Sequence, residues 1–228
     1  MNATSIVVLS LEVALGGTLI ALPFALIAAW LLARGRFSGK WLFDAVINAP
    51  LVLPPVVIGY LLLITLGARA PVGAWLLAHL HLQLIFTVWG AMVAAAVMAL
   101  PLMVRGMRLG FDSVDGRLET AARTLGATPW DVFLSVTLPL ILPGILSGCS
   151  LGFARALGEF GATITFAGNI EGQTRTLPLA IYTALSSVNS DEEIHRLVAM
   201  SLILACIAIV ISSQLERRIQ AYIGQRRA

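Results

Sequence analysis

Charge is scarce in this chain. Only 12% of its 228 residues are Asp, Glu, Lys or Arg, against 58% hydrophobic, and the mean hydropathy is +0.91. A soluble domain carries roughly 25% charged residues because water must solvate its surface. A soluble enzyme or nucleic-acid binder is therefore excluded as the class. Lysine is nearly absent: the single one, Lys40, sits in GRFSGKW, which is not the G-x-x-x-x-G-K-[ST] pattern of a nucleotide-binding loop. The chain does not bind and hydrolyse ATP by itself, and any work must come from a partner. Cysteine is limited to Cys149 and Cys206, both inside apolar runs, where the residue reads as a small hydrophobe and not as a disulfide, redox or metal group. His79 and His81 in AHLHLQ lack further ligands for a metal and read as headgroup contacts. No Ser/His/Asp or metal-ligand grouping appears inside the apolar stretches, so a non-catalytic role is expected.

What is abundant is uninterrupted apolar sequence. Stretches free of Asp, Glu, Lys and Arg cover 13–33, 45–68, 70–104, 132–154 and 197–215. Each is long enough for a helix of about 20 residues crossing a core of about 30 Å. The third exceeds one span, and its beginning, PVGAWLLAHLHLQ, is broken by Pro, Gly, two His and Gln, so the span starts near Leu84 after an interfacial helix. Segments 160–170 and 176–190 are short and rich in Gly, Thr, Ser and Asn; they read as re-entrant or surface-lying, with a sixth crossing at 177–187 as the alternative. The fold class expected is all-α integral membrane, with about five or six spans in a single domain over 1–228. No internal repeat or low-complexity linker divides it.

Basic residues set the orientation. Arg34, Arg36, Lys40, Arg105, Arg108, Arg117, Arg123, Arg217, Arg218, Arg226 and Arg227 fall on one side, and Arg69, Arg175 and Arg196 on the other. The richer side is cytoplasmic. Five spans then put the N-terminus outside and the C-terminus inside. The first residues lack a basic n-region and read as the start of an uncleaved helix. Trp30, Trp41, Trp75 and Trp89 lie near the expected interfaces as anchors.

The longest cytoplasmic connection, 105–131, is too well formed for a solvated turn. RLETAARTL consists of good helix formers, Gly126 is a stop, and ATPWDVF restarts a helix with Thr128 as N-cap, Pro129 in the first turn and Asp131 at the favourable dipole end. A short amphipathic helix of this kind suits either a groove on another protein or the lipid headgroups. Trp130 fits both uses.

ETAARTLGATPWDVFLSVTLP resembles the EAA loop of ABC importer permeases, with Ala121, Ala122, Gly126, Val136, Leu138 and Pro139 on the pattern. The acidic position of the triplet is Thr120 here, with Glu119 one place earlier, so a charge contact with an ATPase would come from Glu119 or be absent. PLVLPPVVIGYLLL, MALPLMVRGMR and FARALGEFGATITFAGNIEGQTRTLPLAIY look like the molybdate/tungstate group of these permeases, and sulfate permeases share much of the loop and the GEFG segment. The resemblance implies a homodimeric type I importer permease of the cytoplasmic membrane. It implies a separate ATP-binding subunit in two copies that carries the ATP-Mg, an external oxyanion-binding protein, and no cofactor on this chain. The loop residues it singles out for coupling are Glu119, Thr120, Ala121, Ala122, Leu125, Gly126, Ala127 and Trp130. Molybdate, or tungstate, is the cargo expected; a sulfate/thiosulfate permease is the alternative within the class. An ion-coupled secondary anion carrier is the alternative outside it, although acidic residues cluster in loops and span ends, with Glu12 the exception to watch.

Two further groups stand out. Arg155 and Glu159 are four apart at the outer end of the fourth apolar stretch, followed by Gly161, Thr163, Thr165 and Asn169. Ionisable groups at membrane depth pair or line a wet path, so this segment is either a constriction on the translocation path or a structural ion pair beside a helix-packing surface. Pro54 and Pro55 interrupt the second stretch as a hinge or as ordinary helix distortion.

Overall fold

The computed structural model describes residues 3–187 and 191–225, and every described element is helical. The elements are α1 (Ala3–Arg34), α2 (Lys40–Val52), α3 (Pro55–Leu66), α4 (Pro71–Leu80), α5 (Val88–Asp112), α6 (Gly116–Thr124), α7 (Pro129–Val132), a π-helical turn (Phe133–Thr137), α8 (Leu138–Leu157), α9 (Gly161–Phe166), α10 (Leu177–Leu185) and α11 (Asp191–Gln225). Four continuous stretches are long and apolar enough to span a membrane: α1, α5, Pro129–Leu157 and Asp191–Leu215. The α2–α3 pair makes a fifth if counted as one span, the odd number on which opposite sides for the two chain ends rest.

α5 is the axis of the molecule. Thr87 caps its start, accepting from Gly90 N–H at 3.2 Å. Its alanines and glycines let neighbours come close on two sides. On one side α1 runs parallel to it, with Gly17 so near Ala95 and the Met92 carbonyl that an added Cβ would stand 2.9 and 3.0 Å from them. On the other, α8 runs antiparallel: Gly144 lies on Gly110, Gly148 on Gly106, and Gly152 on Met103. Lipid tails are as apolar as leucine, so helices in a bilayer adhere by close packing, and spaced small residues allow it. The main core is accordingly built from α1, α5 and α8, with Val13, Ala25, Leu32, Ala95, Met103, Met107, Phe111 and Ile141 buried. The far side of α11 is apolar yet exposed at Leu202, Ile203, Val210 and Ile211, as a lipid-facing surface must be.

Three departures from the hydropathy reading have local causes. The second stretch is not one helix: α2 and α3 meet at 115° across Leu53 and Pro54. Pro54 forces Leu53 into an extended conformation (φ −72°, ψ 142°), and Pro55 then occupies the first helical position, where its missing N–H costs nothing. α2 stays at the inner end of α5, where Arg108 pairs with Asp44 at 3.7 Å and Arg105 donates to Asn48 at 3.0 Å. α3 packs with α9 and α5 through Ile58, Ala94, Met98, Ala162 and Phe166. Second, Arg105 to Asp112 remain helical, so the cytoplasmic connection begins at Ser113; arginines at a helix end reach water without ending the helix. Third, the 177–187 segment forms only the nine-residue α10, about 14 Å at 1.5 Å per residue and too short for a sixth crossing. Part of 176–190 lies outside the described residues.

A Cβ on Gly148 would stand 2.7 Å from the Met103 carbonyl oxygen, whereas one on Gly158 meets nothing nearer than 3.8 Å. Gly148→Val is expected to cost about 1–3 kcal/mol by overpacking and to lower the thermal unfolding midpoint of the detergent-solubilised protein. Gly158→Ala should leave it within a degree or two of the parent on the same measurement.

Candidate functional site

The cytoplasmic connection folds as a helix, a tight turn and a second helix. The Asp115 carboxylate caps α6, accepting from Arg117 N–H at 2.9 Å. α6 ends in a paired-bond stop: Ala127 N–H bonds the Ala122 carbonyl at 3.1 Å and Gly126 N–H the Arg123 carbonyl at 3.0 Å. That closure needs a left-handed residue, and Gly126 supplies it at φ +90°. Thr128 and Asp131 form a reciprocal capping box that starts α7. The chain then widens into the π turn, where Leu138 N–H reaches back to the Phe133 carbonyl. Pro139, without an N–H of its own, follows at once.

One carboxylate ties this loop to the membrane body. Glu119 Oε1 accepts from the Thr137 hydroxyl at 2.8 Å and lies 3.4 Å from the Arg34 guanidinium, which also donates to the Val114 carbonyl at 3.3 Å. The loop is thus bonded to the end of α1 and the start of α8 through the same group. Glu119 points inward. Thr120 faces water with its hydroxyl turned back to the Gly116 carbonyl at 3.0 Å. Ala121 and Gly126 are exposed, Ala122 and Ala127 half-buried. Leu125 is 88% and Trp130 73% exposed, two large apolar groups on a polar loop; the Trp130 ring meets Phe133 edge-on at 6.0 Å and leaves most of its surface open.

The second candidate group lies at the other end of α8. That helix stops at Leu157, so Glu159 sits in the turn beyond it and not on the helix, yet it still reaches Arg155 at 2.6 Å. Its side chain is 2% exposed and that of Arg155 25%. The other carboxylate oxygen accepts from Ala162 N–H at 2.8 Å, capping the first turn of α9. Thr163 is buried, and Thr165 donates to the Gly161 carbonyl. Asn169 is engaged at both ends, donating to Thr183 at 2.8 Å and accepting from Arg175 at 3.0 Å. Gly161 presses on Pro55, where a Cβ would stand 2.8 Å from the proline Cβ, and Gly59 presses on Ala162 and Thr165. The candidate hinge and the candidate constriction are therefore one contact. Of the constriction residues, only Arg155 offers an accessible charge.

Sequence reasoning missed the supporting partners. Thr137 and Arg34 stand 18 and 85 residues from Glu119, and Thr183 stands 14 from Asn169. Ser10, whose hydroxyl accepts from Leu177 N–H at 2.7 Å and ties α10 to α1 across 167 residues, carried no signal at all. Among the described residues no group of three His, Cys, Asp or Glu could hold a metal.

The family described as "Binding-protein-dependent transport system inner membrane component" matches residues 21–227. The chain belongs to this family. It is a multi-pass inner-membrane permease component that works with a binding protein and an ATPase. Among relatives, it is 50% identical over 217 residues, covering 95% of each chain, to the molybdenum transport system permease protein ModB of Haemophilus influenzae. It is 52% identical over 211 residues, 92% of each, to ModB of Escherichia coli K12. The sulfate transport system permease protein CysW of Synechocystis is 37% identical over 195 residues, 86% of this chain and 70% of that one. A chain of the inward-facing MetNI methionine ABC transporter superposes with a TM-score of 0.68 at 16% identity, covering 95% of this chain and 94% of the other. The fold is that of an ABC importer permease.

Leaving one member of a buried ion pair alone costs about 3 kcal/mol or more. Arg155→Met is expected to lower the unfolding temperature of this permease clearly, and adding Glu159→Gln should recover part of the loss, because Gln keeps the bond to Ala162 N–H without the charge. Thermal unfolding of the four variants in detergent checks the cycle; additive effects would mean that the two side chains do not stabilise each other.

Proposed function

We propose that this chain is the membrane-spanning subunit of an ATP-driven importer for a tetrahedral oxyanion, molybdate first and tungstate with it. The support is the identity of about half the residues with permeases named for molybdenum transport, over nearly the whole length. A specific observation keeps sulfate as the second reading, namely the likeness to CysW. In the working assembly two copies of the chain, forming one membrane domain each, would sit on two ATP-binding subunits that carry the ATP-Mg. An external binding protein would deliver the anion.

The α6–α7 loop is the surface offered to the ATPase: Ala121, Ala122 and Gly126 permit close approach, and Leu125 and Trp130 supply apolar contact. The closing ATPase would push this loop, and Glu119 would pass the push to α1 and α8. At the far end of α8, Arg155 would draw a dianion while Glu159 keeps part of its charge neutralised, so that the anion is attracted without being held. The break at Pro54 and Pro55, lying on Gly161, would let α3 and α9 move together as the gate.

In proteoliposomes holding permease and ATPase, molybdate-loaded binding protein is expected to stimulate both hydrolysis and uptake. Gly126→Val puts a β-branched residue at φ +90°, a conformation that costs it about 1–2 kcal/mol, and should reduce stimulated hydrolysis and uptake at least tenfold with membrane insertion intact. Arg155→Ala should slow uptake per assembled complex. Parental activity for the Gly126 variant would remove the docking assignment, and uptake of sulfate but not molybdate would replace the cargo.

A further inference from the structure

A cleft of about 570 Å³ lies between the inner end of α1 and the α6–α7 loop. Its two ends differ in chemistry. One is apolar, walled by Leu26, Ile27 and Phe133. The other carries Trp30, Arg34 and Arg123. Arg34 is already satisfied by Glu119 and the Val114 carbonyl. Arg123 is exposed, and among the described residues no acidic side chain pairs with it. The three charges that line the cleft, Arg34, Arg123 and Glu119, leave one positive charge over.

We propose that this cleft holds an anionic phospholipid of the inner leaflet, its phosphate at Arg123 and one acyl chain along Leu26 and Ile27. Three observations converge on that occupant. First, the charge is complementary, and basic pockets at the cytoplasmic ends of membrane helices are suited to anionic head groups. Second, the apolar wall continues into the bilayer: Ile27 and Trp30 line the cleft and are also 58% and 49% exposed, and Phe24, one turn further along α1, is 62% exposed. Trp30 to Phe24 gives about 9 Å of helix surface for a chain to follow. Third, Leu26 lies eight residues inward from Arg34, about 12 Å along the helix, deeper than a soluble partner docking on the loop would reach. A lipid seated there would touch α1, α6 and the π turn at once, so the bilayer would bear directly on the loop. None of this depends on which anion is carried.

The test uses the complete permease–ATPase assembly, purified from mixed phosphatidylglycerol and phosphatidylethanolamine and weighed by native mass spectrometry. The parent should retain phosphatidylglycerol over phosphatidylethanolamine. Arg123→Gln should lower the retained phosphatidylglycerol about fivefold, the factor expected for one arginine at a membrane surface. Ile27→Glu, which places a negative charge on the acyl wall, should lower it as well, and Arg36→Gln, outside the cleft, should not. Millimolar inorganic phosphate should leave the lipid in place. Equal retention by parent and both cleft variants, equal retention of the two lipids, or displacement by phosphate would each overturn the proposal. So would an assembly that retains no lipid because the ATPase or a second copy of the chain covers the cleft.

Discussion

Everything in this permease hangs on the close approach of three backbones. Where lipid offers no hydrophobic gain for helix association, α1, α5 and α8 are held by the contacts that glycine and alanine allow. Gly148 lies against the Met103 carbonyl, Gly144 against Gly110, and Gly17 against Ala95. A side chain larger than hydrogen at Gly148 has nowhere to go. The result is a stiff unit running from the outer end of α5 to the cytoplasmic loop.

Stiffness matters to the proposed mechanism because it sets force and opening at different places. The loop proposed to receive the push is fastened to the stiff unit by Glu119, which meets Thr137 at the start of α8 and Arg34 at the end of α1. The softer parts lie beyond the other end of α8: the proline break between α2 and α3, and the short α9 capped by Glu159. These two parts touch through Gly161 and Pro55, and through Gly59 and Thr165. On the proposed mechanism, displacement of α8 would be delivered to a contact that contains a preformed bend and lies beyond the partly exposed Arg155 at the end of that helix.

Much of this was legible in the sequence because its causes are local. Runs without charge mark the spans, Gly126 and Thr128 mark a helix stop and restart, and the loop bears its family resemblance within 21 consecutive residues. The size of the bend at Pro54 was not legible, since one proline pair is compatible with a mild kink or a 115° turn, and only the packing of α3 on α9 selects between them. Hydropathy also ended the third span at its first arginine, although α5 carries Arg105 and Arg108 out of the bilayer still helical. The partners of Glu119 were beyond reach for a different reason. The π turn shifts the register between Phe133 and Thr137, so that a threonine which looks like one more residue of a membrane helix faces the loop.

The bond between Glu119 and Thr137 can be tested as a transmission element. In reconstituted permease–ATPase complexes, the number of anions moved per ATP hydrolysed should be measured for the parent, Glu119→Gln, Thr137→Val and the double variant, each normalised to assembled complex. If the pair transmits the push, each single change lowers the ratio and the double variant is no worse than the poorer single, as for two groups in one interaction. Ratios that stay at the parental value, or losses that simply add, would contradict a loop driven through this contact.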